Sequence, residues 1–284
     1  MRIRPMRRHD IEAAEAVTAA AFAVATGSSE TRRSVEAAER WRDRAAHLLG
    51  TDPGGCWVAD DSAGMIGVAL SMRRDLLWLL SSYAVRPGDQ GQGIGAALLD
   101  AAIGYGAGCL RGLICALPDH RAIRRYRLAG FTPHPTMRLT GVVQRSSLPV
   151  VDGVRIGTPA DRDLADSVDR RIRGAAHGAD HEEMLRTCTL LVCDLLTGSG
   201  YAYVDGSTVA LLAATNRSIA QRLLWAALAR SEVGSEVAVR YLTADQEWAI
   251  DVAVAAGLRI ERDGFLVLRH MRPPAPYVPS VSFG

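Results

Sequence analysis

Lysine is absent from this 284-residue chain, and all 33 basic residues are arginine. A P-loop ends in a lysine that reaches the nucleotide phosphates, so the composition excludes that type of nucleotide site. The positive charge is spread along the sequence, the net charge is only +2, and aromatic residues make up 6%. Because nucleic-acid-binding proteins concentrate basic residues on one face, we expect no nucleic-acid partner.

Cysteine pairs and long apolar runs are missing as well. The five cysteines include no CxxC pair, which argues against a disulfide framework and against a structural zinc site. No uninterrupted apolar stretch reaches the roughly 18 residues of a membrane span. The basic N-terminus also lacks the apolar core of a secretory signal. We therefore expect a cytoplasmic protein without a membrane partner.

The second half of the chain repeats the pattern of the first. Residues 154–164 have the same arrangement as residues 3–11, namely a short strand, a proline and a polar turn that opens a helix. A repeat of about 140 residues accounts for this echo. It predicts one domain at 1–143, a linker at 144–153 and a second domain at 154–271. A proline-rich tail at 272–284 favours extended geometry and cannot be helical.

Apolar periodicity predicts the same fold class for both halves. The class is α/β, with a mixed, mostly antiparallel sheet flanked by helices; three middle strands form a meander, and strand–helix–strand units follow. In the first half we predict strands at 2–5, 56–59, 65–72, 76–85, 113–117 and 138–143, and helices at 10–25, 34–49, 93–105 and 120–129. In the second half we predict strands at 201–204, 208–214, 237–242 and 265–271, and helices at 219–230 and 245–256.

The strongest chemical signal is a loop with glycines at 91, 93 and 95, placed between an apolar strand that ends at Val85 and an amphipathic helix. Glycine lets a ligand approach the backbone closely, and the free N–H groups of a helix start suit a phosphate. The spacing does not fit the GxGxxG dinucleotide fingerprint. The glycine pattern alone is also compatible with a tight turn that binds nothing.

Two motifs together resemble the GNAT acetyltransferase superfamily. Gln90-x-x-Gly93-x-Gly95 is similar to its Q/R-x-x-G-x-G/A loop. The segment from Asp119 to Phe131, with Ala122 and Tyr126, is similar to its N-x-x-A-x-x-x-Y-x-x-x-G-F signature, although Asp119 replaces the usual Asn. The resemblance covers residues 1–143 well and residues 154–271 only as a pattern of elements.

This resemblance implies acetyl-CoA as co-substrate, without a metal. The backbone N–H groups from Gln90 to Ala96 would hold the pyrophosphate. The Val85 N–H would stabilise the oxyanion, and Tyr126 would protonate the departing thiolate. Asp119 fits a helix N-cap better than a catalyst. The full set of expected cofactor-binding residues is Val85, Gln90, Gly91, Gln92, Gly93, Ile94, Gly95, Ala96, Asp119, Ala122 and Tyr126.

The resemblance also implies a reaction. We expect transfer of an acetyl or short acyl group from CoA to a primary amine of a small molecule, by direct attack in a ternary complex. Two alternatives stay open, a non-catalytic acyl-CoA sensor and a protein or peptide N-acetyltransferase. The general base is not identified, because Ser81 and Ser82 stand where relatives carry Glu; ordered water, Tyr83 and a carboxylate from elsewhere all remain candidates. The protein is expected to be a monomer or a homodimer.

The second half keeps the outline of the fold but lacks this chemistry. No glycine precedes its helix at 219–230, and Ala253 stands opposite Tyr126. We interpret it as a degenerate, structural copy. His177 and His181 share a spacing that can place two imidazoles on one helix face, but Gly178 breaks the HExxH pattern and weakens a helix. We therefore expect no metal site.

Overall fold

The computed structural model describes residues 1–284, and the chain folds into two units that meet in sequence between Phe131 and Thr132. None of the helices combines the length and the apolar character that a membrane crossing requires.

The first unit is a five-stranded sheet with four helices. Its strands are β1 (Arg2–Pro5), β2 (Cys56–Asp61), β3 (Gly64–Arg74), β4 (Leu77–Val85) and β5 (Arg111–Ala116), in the spatial order of the sequence. Its helices are α1 (Ile11–Thr26), α2 (Val35–Thr51), α3 (Ile94–Tyr105) and α4 (His120–Leu128). The pairs β1–β2, β2–β3 and β3–β4 are antiparallel, whereas β4–β5 is parallel.

The core of the first unit lies on both faces of its central strands. Strand β3 is almost continuously buried, and the side chains of Leu70, Met72 and Trp78 are fully enclosed. Helix α3 contributes Leu98 and Leu99 from its apolar face. A strand buried on both faces needs helices on both sides, which is the layered arrangement expected for this class.

The second unit has a seven-stranded main sheet. Its strands in chain order are β6 (Thr132–Val142), β7 (Val154–Ile156), β8 (Thr189–Leu195), β9 (Gly198–Asp205), β10 (Thr208–Ala214), β11 (Glu236–Leu242) and β12 (Arg259–Arg269), with the short β13 (Tyr277–Val278) beside β10. Its helices are α5 (Arg162–Ile172), α6 (Asp180–Thr187), α7 (Arg217–Ala229) and α8 (Glu247–Ala255). The order of the strands is β12-β6-β11-β10-β9-β8-β7.

Strand β6 explains why the units divide before residue 143. Its residues pair with β12 and with β11, so the strand that follows the first unit belongs to the sheet of the second. The sequence pattern predicts only 138–143 as strand. Pro133 and Pro135, residues that are disfavoured in a central strand, lie in the part of β6 that this prediction leaves out. Pairing with β11 begins at Met137. Both prolines therefore lie where β6 has β12 alone beside it, and a missing N–H on the other side costs nothing there.

Strand β8 and helices α5 and α6 were not assigned bounds from the sequence. The apolar run around Cys193 is the buried strand β8. The predicted tail packs into the second unit: Tyr277 and Val278 are buried and pair with Ala213 and Leu212 of β10.

Candidate active site

Strands β4 and β5 pair along only part of their length. The parallel register joins Leu77–Leu80 to residues 111–114 and stops there. At this point β4 carries a bulge, because Ser82 pairs with Leu70 and Leu80 pairs with Ser71, which leaves Ser81 as the extra residue. A bulge re-aims a strand and ends pairing locally. Residues 81–85 therefore continue beyond the last pair of β4 and β5.

The backbone of Val85 faces the gap between β4 and β5. The neighbouring Arg86 N–H donates to the Ile66 carbonyl on the β3 side at 2.8 Å. Successive N–H groups of a strand point to opposite sides, so the N–H and C=O of Val85 point away from β3. The Val85 carbonyl accepts a hydrogen bond from Gln90 Nε2 at 3.1 Å, which agrees with this orientation.

The glycine-rich loop leads from this gap to the start of α3. Gly91 and Gly93 have φ values of 86° and 85°, a region in which a side chain is strained. Gly93 is the N-cap of α3, so the N–H groups of Ile94, Gly95 and Ala96 lie in the first turn and have no partner within the helix. Gly91, Gln92 and Gly93 are exposed. The loop thus presents backbone donors at the positive end of a helix dipole.

Gln90 joins the loop to helix α4. Its side-chain carbonyl accepts a hydrogen bond from the guanidinium of Arg121 at 2.8 Å, while its amide donates to Val85. The Arg121 charge consequently lies beside the loop. Arg127 donates to the Phe131 carbonyl, so two of the four arginines of α4 have defined partners.

Tyr83 is a site residue whose role is not defined by the sequence pattern. A Cβ atom on residue 95 would lie under 3.0 Å from the Tyr83 hydroxyl oxygen, so glycine at 95 makes room for this hydroxyl at the head of α3. The ring centroids of Tyr83 and Tyr126 lie 5.9 Å apart. Burial raises the pKa of Tyr83 to about 12. Its phenol is therefore protonated at neutral pH, which argues against Tyr83 as the general base.

Helix α4 presents Tyr126 towards the same region. Asp119 caps the helix, since its carboxylate accepts hydrogen bonds from the N–H groups of Arg121 and Ala122 at 2.8 and 2.9 Å. Tyr126 lies two turns further on and is only 4% exposed. The structure thus brings Val85, Gln90, Gly95 and Tyr126 together, with Ala122 in the first turn of α4. Their roles in binding and catalysis stay predictions.

Two hydroxyl groups at the bulge stand out. The Oγ atoms of Ser81 and Ser82 are shielded from solvent, and no protein group hydrogen-bonds to either of them. Buried hydroxyls nearly always have a partner, so an unsatisfied pair next to the gap marks a place where a ligand or water contributes one.

The matching region of the second unit is filled by its own chain. Strands β10 and β11 pair in parallel only at Thr208 and Val209, and β10 then pairs with β13 of the tail. Helix α7 begins without a glycine loop, and the Asn216 side chain caps it by accepting from the Ile219 N–H at 3.0 Å. The groups that a cofactor would contact in the first unit have protein partners in the second.

Residues 20–131 match the model of the acetyltransferase (GNAT) family. The matched stretch contains the bulge, the glycine loop and Tyr126. Over this stretch the resemblance seen in the two motifs is therefore confirmed. The general reaction of this family is acetyl transfer from acetyl-CoA. No curated protein sequence matches the chain significantly.

Solved structures share the fold over the whole chain. A Pyrococcus horikoshii protein designated an acetyltransferase has 15% identity and a TM-score of 0.78, with 100% of this chain and 95% of that chain covered. A GCN5-related N-acetyltransferase from Sphaerobacter thermophilus has 17% identity and a TM-score of 0.60, with 98% of each chain covered. At these identities the likeness shows the fold alone, and it confirms the predicted class.

Proposed function

We propose that the chain is an acetyl-CoA-dependent N-acetyltransferase that acts on a primary amine of a small molecule, with its catalytic site in the first unit. The observation that carries this proposal is the gap between β4 and β5, which opens beside a glycine-rich helix start. A thioester with a long amide-containing arm and a diphosphate needs both features at once.

The pyrophosphate is assigned to the loop. The N–H groups of residues 91–96 would donate to its oxygens, and the helix dipole would favour its negative charge. The guanidinium of Arg121, held by Gln90, would add a positive charge nearby. The pantetheine arm would lie along residues 81–85 and hydrogen-bond to the strand edge that β5 leaves unpaired.

The chemical step is assigned to Val85 and Tyr126. The amine nitrogen attacks the thioester carbonyl carbon, and the Val85 N–H stabilises the charge that develops on the oxygen. The carbon–sulfur bond then breaks, and the Tyr126 hydroxyl donates its proton to the departing thiolate. The proton released by the amine passes through water and restores the Tyr126 hydroxyl, so the products are the amide and free CoA.

Ser81 and Ser82 are proposed to hold a water molecule that accepts the proton of the attacking amine. Their hydroxyls lack protein partners, and no carboxylate follows the bulge. Water held by these hydroxyls would accept the proton from the attacking amine, which leaves the ordered-water route as the favoured one of the three that the sequence left open. Tyr83, with its raised pKa, would stay protonated and position Tyr126.

A cleft in the same unit supports a small acceptor. It lies between α1 and α2, has a volume of about 470 Å³ and includes Glu15, Arg32, Arg33 and Arg42 in its lining. A volume of this order suits a small molecule. Glu15 belongs to α1, whereas Arg32, Arg33 and Arg42 lie in the segment after the first helix, where this fold shapes its acceptor site.

The test is thiol release from acetyl-CoA with a library of small amines and with peptides. We expect turnover with at least one small amine, and Tyr126→Phe is expected to lower kcat by about 10²–10⁴-fold while CoA affinity and melting temperature change little. Tyr105→Phe is the matched control, because Tyr105 ends α3 about 15 Å from Gly95.

Each other outcome decides against part of the proposal. Equal rates for wild type and Tyr126→Phe would remove the acid role. Tight binding of acetyl-CoA without turnover of any amine would favour a non-catalytic sensor. The lack of a carboxylate at the bulge supports that alternative. Turnover of peptides alone would replace the small molecule by a protein N-terminus.

A further inference from the structure

The second unit contains a buried cluster of ionisable side chains that the proposed reaction does not use. Asp166 and Asp169 lie on α5, His177 lies in the connection to α6, and His181 lies on α6. Asp169 and His177 are 0% exposed, and His181 is 1% exposed. One ligand atom from each of Asp169, His177 and His181 lies within 4.8 Å of the other two.

The distances inside the cluster are short. His177 Nδ1 lies 2.6 Å from Asp169 Oδ2. His181 Nε2 lies 3.1 Å from Asp166 Oδ1 and 3.6 Å from Asp169 Oδ2. The two imidazole nitrogens thus converge on the Asp169 carboxylate, and the Asp166 carboxylate lies beside His181, although Gly178 separates the two histidines in the sequence.

Neighbouring groups also hydrogen-bond to those atoms of the histidine and aspartate side chains that face away from the centre of the cluster. The Tyr203 hydroxyl lies 3.0 Å from His181 Nδ1, so Nε2 of that ring faces the carboxylates. The Tyr201 hydroxyl donates to Asp169 Oδ1, whereas the other oxygen of this carboxylate, Oδ2, faces His181. Ligands of protein-bound metals are oriented in this way, by hydrogen bonds on the side away from the ion.

The charges of the cluster leave room for a cation. Asp166 and Asp169 are both buried. The fully buried guanidinium of Arg173 attracts Asp169 electrostatically, and the half-exposed Arg162 has its Nε 3.7 Å from Asp166 Oδ2. Arg173 donates to the carbonyls of Ala175, Ala176 and Phe283, so it does not close the site. Buried carboxylates need compensating charge, and a divalent ion bound by neutral imidazoles supplies it.

We propose that Asp169, His177 and His181, with Asp166 as fourth ligand, form a structural binding site for a divalent transition-metal ion, Zn²⁺ foremost. Mixed nitrogen and oxygen donors suit zinc and its neighbours rather than Mg²⁺ or Ca²⁺. Tetrahedral ligands about 2.0–2.1 Å from zinc lie about 3.3 Å apart, close to the two His181 distances. The proton between His177 Nδ1 and Asp169 moves to Nε2 of the same ring, so that the Nδ1 lone pair binds the ion and the imidazole stays neutral.

Four protein ligands without solvent access make this a closed site, which holds structure and does no chemistry. The ion would tie α5 to α6 and, through Tyr201 and Tyr203, to β9. This proposal is independent of the proposed acetyl transfer, which uses the first unit.

The experiment uses the full chain, purified without an affinity tag, stripped with a chelator and titrated with ZnSO₄ or CoCl₂. We expect one equivalent of zinc per chain by elemental analysis, a raised melting temperature, and visible ligand-field bands of tetrahedral Co²⁺. Asp169→Asn and His181→Gln should lose these effects, whereas His9→Gln, at an exposed histidine, should retain them.

Variants that fail to fold do not prevent a decision. Tyr203→Phe keeps all four ligands but removes the hydrogen bond to His181, so we expect a Kd for Zn²⁺ raised about 10–100-fold. Wild type that retains no metal and shows no Co²⁺ bands would overturn the proposal and leave a hydrogen-bonded network. One equivalent bound equally by wild type and His181→Gln would overturn it too, because the ion would then lie elsewhere.

Discussion

The hydroxyl of Tyr83 occupies the space that a side chain on residue 95 would need. This relationship links the bulged strand to the first turn of α3, and it gives the last glycine of the loop a steric reason. Gly91 and Gly93 require glycine because their φ angles are positive. Gly95 requires glycine because the Tyr83 hydroxyl leaves no room for a side chain.

Gly95→Ala should therefore destabilise the protein only while Tyr83 keeps its hydroxyl. We expect a loss of about 1–3 kcal/mol from overpacking. In a Tyr83→Phe background the nearest ring atom, Cζ, would lie 3.4 Å from the new Cβ, and alanine's helix propensity would make the change neutral or stabilising. Urea unfolding of the four proteins gives the coupling.

Gly104→Ala is the control for that cycle, because it also lies in α3 and no atom comes within 4 Å of its added Cβ. It should be neutral or stabilising in both backgrounds. Equal losses for Gly95→Ala with and without the Tyr83 hydroxyl would show that the steric argument is wrong.

Asp119 stabilises the helix that carries Tyr126. Asp119→Ala removes the acceptor of two N–H groups and should cost about 1 kcal/mol, with a lower rate of acetyl transfer as α4 frays. Asp119→Asn should retain both, since Asn caps as well as Asp. Chemical denaturation and thiol release check the pair; an inactive Asn variant of normal stability would instead point to a chemical role for the carboxylate.

Acid stability should depend on the Arg155–Asp161 ion pair. Arg155 donates to the Asp161 carboxylate and, with the Thr158 N–H, lowers the pKa of Asp161 from 3.8 to about 2. A carboxyl with a lowered pKa contributes stability above about pH 4 and loses that contribution as the pH falls towards 2. The melting temperature of Arg155→Ala should thus lie below wild type at pH 6 and converge with it near pH 2.

Arg171→Ala, at an exposed arginine of α5, serves as the charge-matched control and should show no such convergence. A constant difference between Arg155→Ala and wild type over this range would exclude the ion pair as the source. The equivalent pair in the first unit is Arg4 with Asp10, whose pKa is likewise lowered.

CoA should bind one equivalent per chain, because the tail strand β13 lies against β10 in the second unit. Tyr277→Ala should cost about 3–5 kcal/mol, as large-to-small changes in a core do, without changing the stoichiometry or affinity for CoA. Val281→Ala, at a residue 44% exposed, should stay within about 0.5 kcal/mol of wild type. Calorimetric titration checks this; two equivalents of CoA would show that the second unit is not degenerate.

The sequence predicts the site of the first unit well because its signals are local. Glycine spacing, a helix cap at Asp119 and the position of Tyr126 are all readable within a few turns of the chain. The role of Tyr83 is not readable, since its contact with Gly95 arises only when the strand and the helix pack.

Long-range pairing limits the prediction of the second unit. The prolines of β6 suggest a break, yet they are tolerated because β11 begins its pairing only at Met137. The cluster of Asp169 with His177 and His181 has no motif of its own, because the helix that carries Asp169 is brought back by a turn at Gly174 and Gly178. Both glycines have positive φ, which is the conformation that this turn requires.

The most direct test of the account is a crystal structure of the chain with CoA. We predict one CoA molecule, with its pyrophosphate within hydrogen-bonding distance of backbone nitrogens in residues 91–96 and its pantetheine arm along residues 81–85. A CoA molecule bound in the second unit, or a glycine loop that contacts no phosphate at saturating CoA, would contradict it.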